Sequence, residues 1–207
     1  MVGTNLFSEV EAMIQFEILE FVPQTNEQDM NQLLPAFLEI WNDPENLKYL
    51  SLTLRPFEEE TVRSWFSMHI SGGGRYFCAV DTGRNIVEIS ATRLDPIKGF
   101  EVIGVGVLPS RKRQGIGTML MKHLVQLAKT SGFQSVEVNV LADNVIMLRL
   151  LLGLGFIPIR MEHSKRTDGA DLVFLRKVFT RIITLTVYLV ERNRRWKSDM
   201  HYRAASM

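Results

Sequence analysis

The chain has 207 residues, of which 46% are apolar and 23% are charged. These proportions are typical of a single folded domain and exclude an intrinsically disordered protein. A formal net charge of +1 gives no general attraction to nucleic acid or anionic lipid, and a single cysteine, Cys78, excludes an internal disulfide. A lone thiol suits a reducing compartment, so a cytoplasmic protein is expected.

The two ends of the chain differ in pattern from its middle. Residues 1–13 predict a leader that lacks the basic start and apolar core of a secretory signal. Residues 14–179 predict one folded domain. Residues 180–207 predict an extension or tail, whose most apolar run, 182–190, is too short to span a bilayer. Basic residues around Trp196 are interpreted as a solvated cluster, so nucleic acid is not expected as a partner.

Apolar periodicity predicts the elements of the first half of the domain. Alternation predicts strands, and apolar residues at helical spacing predict amphipathic helices. In chain order they are a strand over 14–22, helices over 27–41 and 57–70, and strands over 75–80, 85–94 and 100–108. Pro35 lies inside the first helical pattern, so that helix should kink or begin late. Turn sequences between the last three strands predict an antiparallel meander.

The second half predicts a strand–helix–strand unit and two closing strands. In chain order the elements are a helix over 115–130, a strand over 135–141, a short apolar helix from Asn144 to the 153–155 region, and strands over 156–161 and 171–178. The first of these helices joins two strands and therefore predicts one βαβ unit within a mostly antiparallel sheet. The fold class is α+β, with a mixed sheet of six to seven strands and about four helices.

Residues 105–117 form the most informative segment: Val-Gly-Val-Leu-Pro-Ser-Arg-Lys-Arg-Gln-Gly-Ile-Gly. A strand leads into a basic turn, and Gly115 and Gly117 then open a helix. The first amides of a helix have no partner inside it, the helix dipole is positive there, and glycines let a phosphate approach closely. The turn contains neither a P-loop nor a dinucleotide fingerprint. Alone, the segment predicts either an anion site or a glycine-capped helix start.

Two motifs together give a more specific interpretation. The run Val107-x-Pro109, then Lys112-Arg-Gln-Gly-Ile-Gly117 and Leu120, resembles motif A of the GNAT superfamily, whose core is Arg/Gln-x-x-Gly-x-Gly/Ala. Asn144, followed by Gly155-Phe156 after the short apolar helix, resembles motif B of the same family. The order of strands around the motifs also fits, so the resemblance covers roughly residues 14–179.

The resemblance implies an acetyl-CoA-dependent N-acetyltransferase that transfers the acetyl group directly from the thioester to a primary amine. It implies a GNAT fold whose central strands splay apart around the pantetheine arm, which pairs like an added strand, and it implies no metal. The acceptor is an amine-bearing small molecule or protein, and a homodimer is compatible with the family. The residues expected to contact the coenzyme are Val105, Val107, Leu108, Lys112, Arg113, Gln114, Gly115, Ile116, Gly117, Thr118, Asn144 and Leu151.

Two positions depart from the family pattern. Lys112 stands where the family usually has Arg or Gln, so it neutralises phosphate only as a point charge. Leu151 occupies the position where many members have the Tyr that protonates the leaving thiolate, and leucine cannot donate a proton. This departure leaves open a non-catalytic acyl-CoA-binding or regulatory module of the same fold. Asn144 is expected to contact pantetheine, to cap its helix, or both.

Attack on the thioester needs a neutral amine, so a general base is expected. Glu101 is the first candidate, because the histone-acetylating branch of the family has its catalytic Glu at this spacing before the glycines. Glu137 is the second candidate. It lies two residues before Asn139, which is the position of the base in ribosomal-protein-acetylating relatives.

The acceptor side is expected to be acidic. Glu88 shares a strand face with Ser90 and Thr92, and this face is expected to line the acceptor side. The segment from Asp43-Pro-Glu to Tyr49-Leu and the Glu58-rich helix are expected to form the acceptor-side wall. Their acidic residues would favour a cationic amine.

Overall fold

The computed structural model of the chain describes residues 16–21, 27–95 and 99–179. The predicted leader at 1–13 and tail at 180–207 lie outside these residues. The elements in chain order are β1 Phe16–Phe21, α1 Glu27–Asn42, α2 Pro44–Leu50, α3 Glu59–Ser71, β2 Gly74–Asp81, β3 Ile86–Asp95, β4 Gly99–Val107, a 3-10 turn Pro109–Arg111, α4 Ile116–Thr130, β5 Ser135–Leu141, α5 Val145–Gly153, β6 Ile157–Glu162 and β7 Leu172–Val178.

The predicted strands and helices are present close to their expected bounds, and two details differ. α1 begins at Glu27 and continues through Pro35, so the expectation of a late start is wrong. The short helix α2 is absent from the prediction, although its start has a local signal. Asp43 caps it by accepting the amide of Asn46 at 3.1 Å, and Pro44 occupies its first turn.

The seven strands form one sheet in the order β1-β2-β3-β4-β5-β7-β6. All neighbours are antiparallel except β4 and β5, which are parallel and joined by the crossover helix α4. This arrangement confirms the predicted βαβ unit inside an antiparallel sheet.

The two faces of the sheet are covered by different helices. On one face α1 and α3 pack on β2 and β3 around stacked and edge-on rings of Phe37, Trp41 and Phe66. On the other face α4 and α5 pack on β4 and β5, with Leu120 and Leu151 wholly buried. Because both faces of the central strands are covered, side chains on either face are removed from water.

Close packing of α1 and α2 on β4 depends on a glycine. A Cβ atom at Gly106 would lie 2.7 Å from the side chain of Ile40, nearer than van der Waals contact permits. Asn46 of α2 fixes this approach, because its amide donates to the carbonyls of Ile40 and Val107, each at 2.8 Å. α2 therefore lies beside the end of β4.

The parallel pair β4 and β5 separates part-way along its length. Pairing covers only residues 100–102 of β4 against 136–138 of β5. Beyond these residues β4 stays paired with β3 and β5 stays paired with β7. An irregular register opposite Ala91 and Thr92 accompanies the separation, as expected of a β-bulge. The predicted splayed central pair is confirmed.

Candidate active site

A cleft opens between β4 and β5 where the two strands part. Its volume is about 290 Å³. The lining residues are Tyr49, Leu50 and Leu52 beside α2, residues 102–105 of β4, residues 138–141 of β5, and Asn144, Met147 and Leu172. The predicted contact residues Val105 and Asn144 are on this wall. Mostly apolar walls with a few polar groups suit an extended organic chain.

Asn144 caps the helix that borders this cleft. Its Oδ1 accepts the amide of Met147 at 3.1 Å, at the start of α5. The capping role is therefore present. Because the same residue lines the cleft, contact with a pantetheine arm is compatible with it and stays a prediction.

The turn before α4 leaves the start of the helix open. Gly115 is the N-cap residue, with a φ of 80° and no side-chain cap, and a Cβ there would meet nothing within 4 Å. Met119 donates to the Gly115 carbonyl at 3.0 Å, so the amides of Ile116, Gly117 and Thr118 precede the first intrahelical bond. These amides and the helix dipole fit the diphosphate of a coenzyme.

The charge of Lys112 is directed away from this turn. Its Nζ lies 2.9 Å from Glu45 and 3.3 Å from Asp43, both at the start of α2. Lys112 therefore joins α2 to the turn, and its expected role in neutralising phosphate would require it to leave these partners. That role stays a prediction. The pairing also offsets part of the negative charge of the expected acidic acceptor wall, because one ammonium faces two of its carboxylates. That wall stays a prediction. Arg113 is exposed in the same turn and adopts a positive φ of 65°.

Three other predicted contacts are limited by burial or by bonds within the protein. Ile116 is buried, so only its backbone can touch a ligand. Leu108 donates its amide to Val87 at 2.8 Å and accepts the amide of Arg111 at 2.9 Å, so its backbone is already used. Leu151 has no exposed surface and packs in the core. This burial does not favour the predicted contact of Leu151 with the coenzyme, which stays a prediction.

The remaining predicted contacts lie at or beside the turn. Val107 ends β4 beneath α4, and its Cγ2 is 3.8 Å from the Cβ position of Gly117. Gln114 is exposed, and its amide approaches the Ser110 carbonyl at 3.4 Å. Thr118 is half-buried in the first turn of α4. These residues surround the open start of the helix.

The two predicted base candidates are neighbours. Glu101 of β4 and Glu137 of β5 are directly paired in the parallel register, one step before the strands part. Both line a second cavity of about 190 Å³, which shares Val138 and Asn139 with the cleft. Their face of the sheet is the one opposite α4, since the adjacent residues Phe100 and Val102 pack under that helix.

The two carboxylates differ in how tightly they are held. Glu137 Oε1 accepts a hydrogen bond from Arg176 Nε at 2.7 Å, and Arg176 Nη2 lies 2.5 Å from the same oxygen. Glu101 has a single, longer contact of 3.5 Å with Arg93, and its side chain is 34% exposed. Two short contacts from one guanidinium fix a carboxylate more firmly than one long contact. Glu101 is therefore the less constrained of the two.

Glu88 is not on the acceptor side, which corrects the sequence prediction. Together with Ser90 and Thr92 it is wholly buried on the face of β3 covered by α4. Its Oε1 lies 3.3 Å from the Cβ position of Gly117, so the carboxyl is directly under the first turn of α4. Neither carboxyl oxygen has a hydrogen-bond partner among the described residues. Burial raises the pKa of Glu88 from its ordinary 4.5 to about 8.

Two further residues shape the surroundings of the cleft. Tyr49, expected from the sequence on the acceptor-side wall, lies on the wall of this cleft because α2, itself unpredicted, brings it there. Sequence reasoning missed the second residue. Arg166, in the segment between β6 and β7, is only 3% exposed. It donates to the Lys48 carbonyl at 2.6 Å and pairs with Asp143 and Asp168, each at 2.8 Å. Arg166 thereby ties the β6–β7 segment to α2 and to the turn after β5.

Within residues 16–21, 27–95 and 99–179, no group of three or more His, Cys, Asp or Glu side chains is placed to hold a metal ion. In the same ranges, no helix combines the length and apolar character needed to cross a membrane.

Known proteins resemble this chain in both sequence and fold. A ribosomal protein bS18-alanine N-acetyltransferase of Escherichia coli is 31% identical over 72 residues, which are 34% of this chain and 49% of the relative. A tRNA(Met) cytidine acetyltransferase of Saccharolobus solfataricus is 22% identical over 124 residues, which are 58% of this chain and 16% of the relative. The chain thus spans half or less of the length of these curated relatives.

A solved phosphinothricin acetyltransferase of Sinorhizobium meliloti, in complex with acetyl-CoA, matches with a TM-score of 0.65 at 16% identity. The match covers 83% of this chain and 92% of that protein. At this identity the likeness shows the fold. The sequence profile of the Acetyltransferase (GNAT) family matches residues 34–156, more than half of the chain. The chain therefore belongs to the acetyltransferase (GNAT) family.

Proposed function

We infer that the chain is an N-acetyltransferase that uses acetyl-CoA to acetylate the primary amine of a small molecule or a protein. The observation that carries this proposal is the layout along β4. The strand passes the Glu101–Glu137 pair, then the cleft, and then leads to the open start of α4. A base, a slot for an extended chain and an anion site thus follow one another in the order that the reaction needs.

The separation of β4 from β5 supports a specific position for the coenzyme. Beyond Val102 the edge of β4 that faces β5 has no strand partner, and an amide-bearing pantetheine arm can pair with such an edge. The amides after Gly115 would then hold the diphosphate. The acetyl-CoA complex of the Sinorhizobium meliloti relative supports the same ligand class.

Calorimetry and a thiol-release assay test this function directly. We expect the chain to bind acetyl-CoA and to release coenzyme A in the presence of at least one class of amine. The acceptor panel contains polyamines, amino acids and peptides with a free N-terminal alanine, the last because of the bS18-alanine relative. No binding would contradict the proposal, and binding without turnover on any amine would instead support a non-catalytic acyl-CoA-binding module.

The carboxylate pair gives the proposal a base. An ammonium group must lose a proton before it attacks the thioester, and Glu101 is the freer carboxylate at the end of the cleft. We assign the general base to Glu101 and an orienting role to Glu137, which is held by Arg176.

Replacement of Glu101 by Gln should lower kcat by about a hundredfold, the usual scale for loss of a general base. Acetyl-CoA affinity should not change, because Glu101 is far along β4 from the turn at Gly115. The matched control is Glu137→Gln, which we expect to lose less activity. Equal kcat values for Glu101→Gln and the unchanged chain would remove Glu101 from this role.

Tyr49 offers the proton donor that the sequence lacks at Leu151. It lines the cleft between β4 and β5 and carries a phenol hydroxyl, which can protonate a leaving thiolate. Replacement of Tyr49 by Phe should lower kcat about tenfold, a modest loss because a thiol is an acidic leaving group. Tyr76→Phe, which removes another hydroxyl in the core around α3, is the control. Unchanged turnover by Tyr49→Phe would rule the role out.

Partners and location complete the proposal. The acceptor carries the amine, and the cavity beside Glu101 is its route to the thioester. The single thiol, Cys78, is buried in the core, which suits a reducing compartment, so we place the activity in the cytoplasm. A homodimer stays a prediction.

A further inference from the structure

The carboxyl of Glu88 is a buried acid without a partner, directly under the proposed diphosphate site. Its residue has 0% exposed surface, and both oxygens lack a hydrogen bond within the described part of the chain. Glu88 lies opposite Ala79 of β2 and Val107 of β4. Above it, Gly117 leaves only 3.3 Å between Oε1 and the position of a Cβ atom.

Several titratable or charged side chains are on the strand of this carboxyl and on the elements packed against it. They are Arg93 of β3, Arg75, Tyr76, Cys78 and Asp81 of β2, Glu101 of β4, Arg111 of the 3-10 turn, and Lys122, His123 and Lys129 of α4. Cys78 is buried, and burial and then the charge of Glu88 raise the pKa of its thiol. Arg111 is already paired with Asp81 at 3.2 Å, and burial lowers the pKa of His123. No described cation is paired with Glu88.

A buried acid without a partner is costly unless it is neutral, and even then its hydroxyl lacks an acceptor. The neighbouring start of α4 is the positive end of a helix. That end can stabilise one anion well, either a carboxylate below the first turn or a diphosphate above it. Two anions on opposite sides of the same turn repel each other across a poorly solvated layer.

We propose that Glu88 is a positioning residue whose protonation state controls the affinity of the coenzyme site. Coenzyme binds most tightly when the carboxyl of Glu88 is protonated, so Glu88 keeps or takes up a proton on binding, and the ionised carboxylate weakens binding. The proton comes from solvent and no other bond changes. This inference depends on the proposed function, because it needs acetyl-CoA to bind at the start of α4.

Thermodynamic linkage fixes the sign of the effect. If a bound diphosphate disfavours ionisation of the carboxyl, then ionisation of the carboxyl must lower the affinity for the diphosphate by the same factor. The pKa of Glu88, raised by burial to about 8, places the change near neutral pH. Affinity is highest at lower pH, where Glu88 is protonated in both the free and the bound chain. The affinity falls as the pH rises through the pKa that Glu88 has in the chain without coenzyme.

Calorimetry with dephospho-coenzyme A from pH 6.5 to 9.5 tests the proposal, because this probe lacks the titrating 3′-phosphate. For the unchanged chain, Kd should rise by up to about tenfold for each pH unit above the pKa of Glu88 in the free chain. For Glu88→Gln, Kd should change much less. Ser90→Ala is the matched control, since Ser90 is a buried, unpartnered hydroxyl on the same face and does not titrate. It should follow the unchanged chain.

Parallel pH profiles for the unchanged chain and Glu88→Gln would overturn the inference. If Glu88→Gln does not fold, titrations of the unchanged chain in buffers of different ionisation enthalpy decide the matter. Near pH 8, net proton uptake on binding is the expected result, and no uptake overturns the inference. Failure of the unchanged chain to bind coenzyme at any pH is a different outcome, because it refutes the proposed function as well.

Discussion

A Gly115→Glu chain should lose acetyl-CoA affinity by at least about a hundredfold, because like charges juxtaposed in a binding site cost several kcal/mol. Gly115 is the N-cap of α4, and a Cβ there would project into open space beside the free amides. The glutamate would bring a negative charge and a side chain to the position proposed for the diphosphate. Calorimetry with acetyl-CoA at neutral pH measures the loss.

Gly132 is the matched control at the other end of the same helix. Its φ is 83° against 80° for Gly115, and a Cβ there also meets nothing within 4 Å. Glutamate at either position therefore carries a similar backbone strain, on the order of 1–2 kcal/mol. Gly132→Glu should bind acetyl-CoA normally. Equal losses in the two variants would show that strain, and not the anion site, explains the effect.

Gly117 illustrates what the sequence can and cannot reveal about this site. From the motif alone Gly115 and Gly117 are equivalent, since both open the helix and both suit a phosphate. The structure separates them, because the Cβ position of Gly115 faces open space and that of Gly117 faces Glu88. A change at Gly117 would disturb the core beneath α4 before it reached a ligand. Only the packing of α4 on β3 makes this distinction.

The fold was largely predictable because its signals are local. Alternation marks the strands, helical spacing marks the longer helices, and the glycine turn with its partner motif indicates the family. Which helix layer covers each face of a strand depends on contacts that are distant in the sequence. The pattern places Glu88, Ser90 and Thr92 together correctly. Alternation cannot tell which helix layer covers them, because both faces of β3 are buried.

Long-range contacts account for the rest of the site. Tyr49 reaches the cleft only because α2 packs on β4, where Asn46 bonds to the Val107 carbonyl 61 residues away. Arg166 reaches the Lys48 carbonyl across 118 residues. A periodic pattern within a short stretch of sequence cannot indicate contacts between residues so far apart. The lesson from Lys112 is similar, since its sequence context indicates phosphate and its structural partners are the carboxylates of Asp43 and Glu45.

The buried carboxyl should also make the free energy of unfolding decrease as the pH rises, and Glu88→Gln should abolish this dependence. The folded-state pKa of Glu88 is about 8, above its ordinary value of 4.5, so between these values the folded chain holds a proton that the unfolded chain has lost. The free energy of unfolding must therefore decrease as the pH rises through this window, and it levels off above it. Gln at this position has no proton to lose.

Relative to Glu88→Gln, the unchanged chain should lose about 1.4 kcal/mol of stability per pH unit, or on the order of 4 kcal/mol between pH 5 and pH 8. Urea denaturation at several pH values measures both chains, and their difference cancels the titration of distant groups. Ser90→Ala should show the same pH dependence as the unchanged chain, because it removes a buried hydroxyl without removing a titrating group.

Saturating acetyl-CoA should shift the loss of stability to higher pH, since an anion above the first turn of α4 further disfavours the carboxylate below it. A constant difference between the unchanged chain and Glu88→Gln from pH 5 to 8 would mean that Glu88 ionises as easily in the folded chain as in the unfolded one, and that a water or side chain reaches its carboxyl under α4.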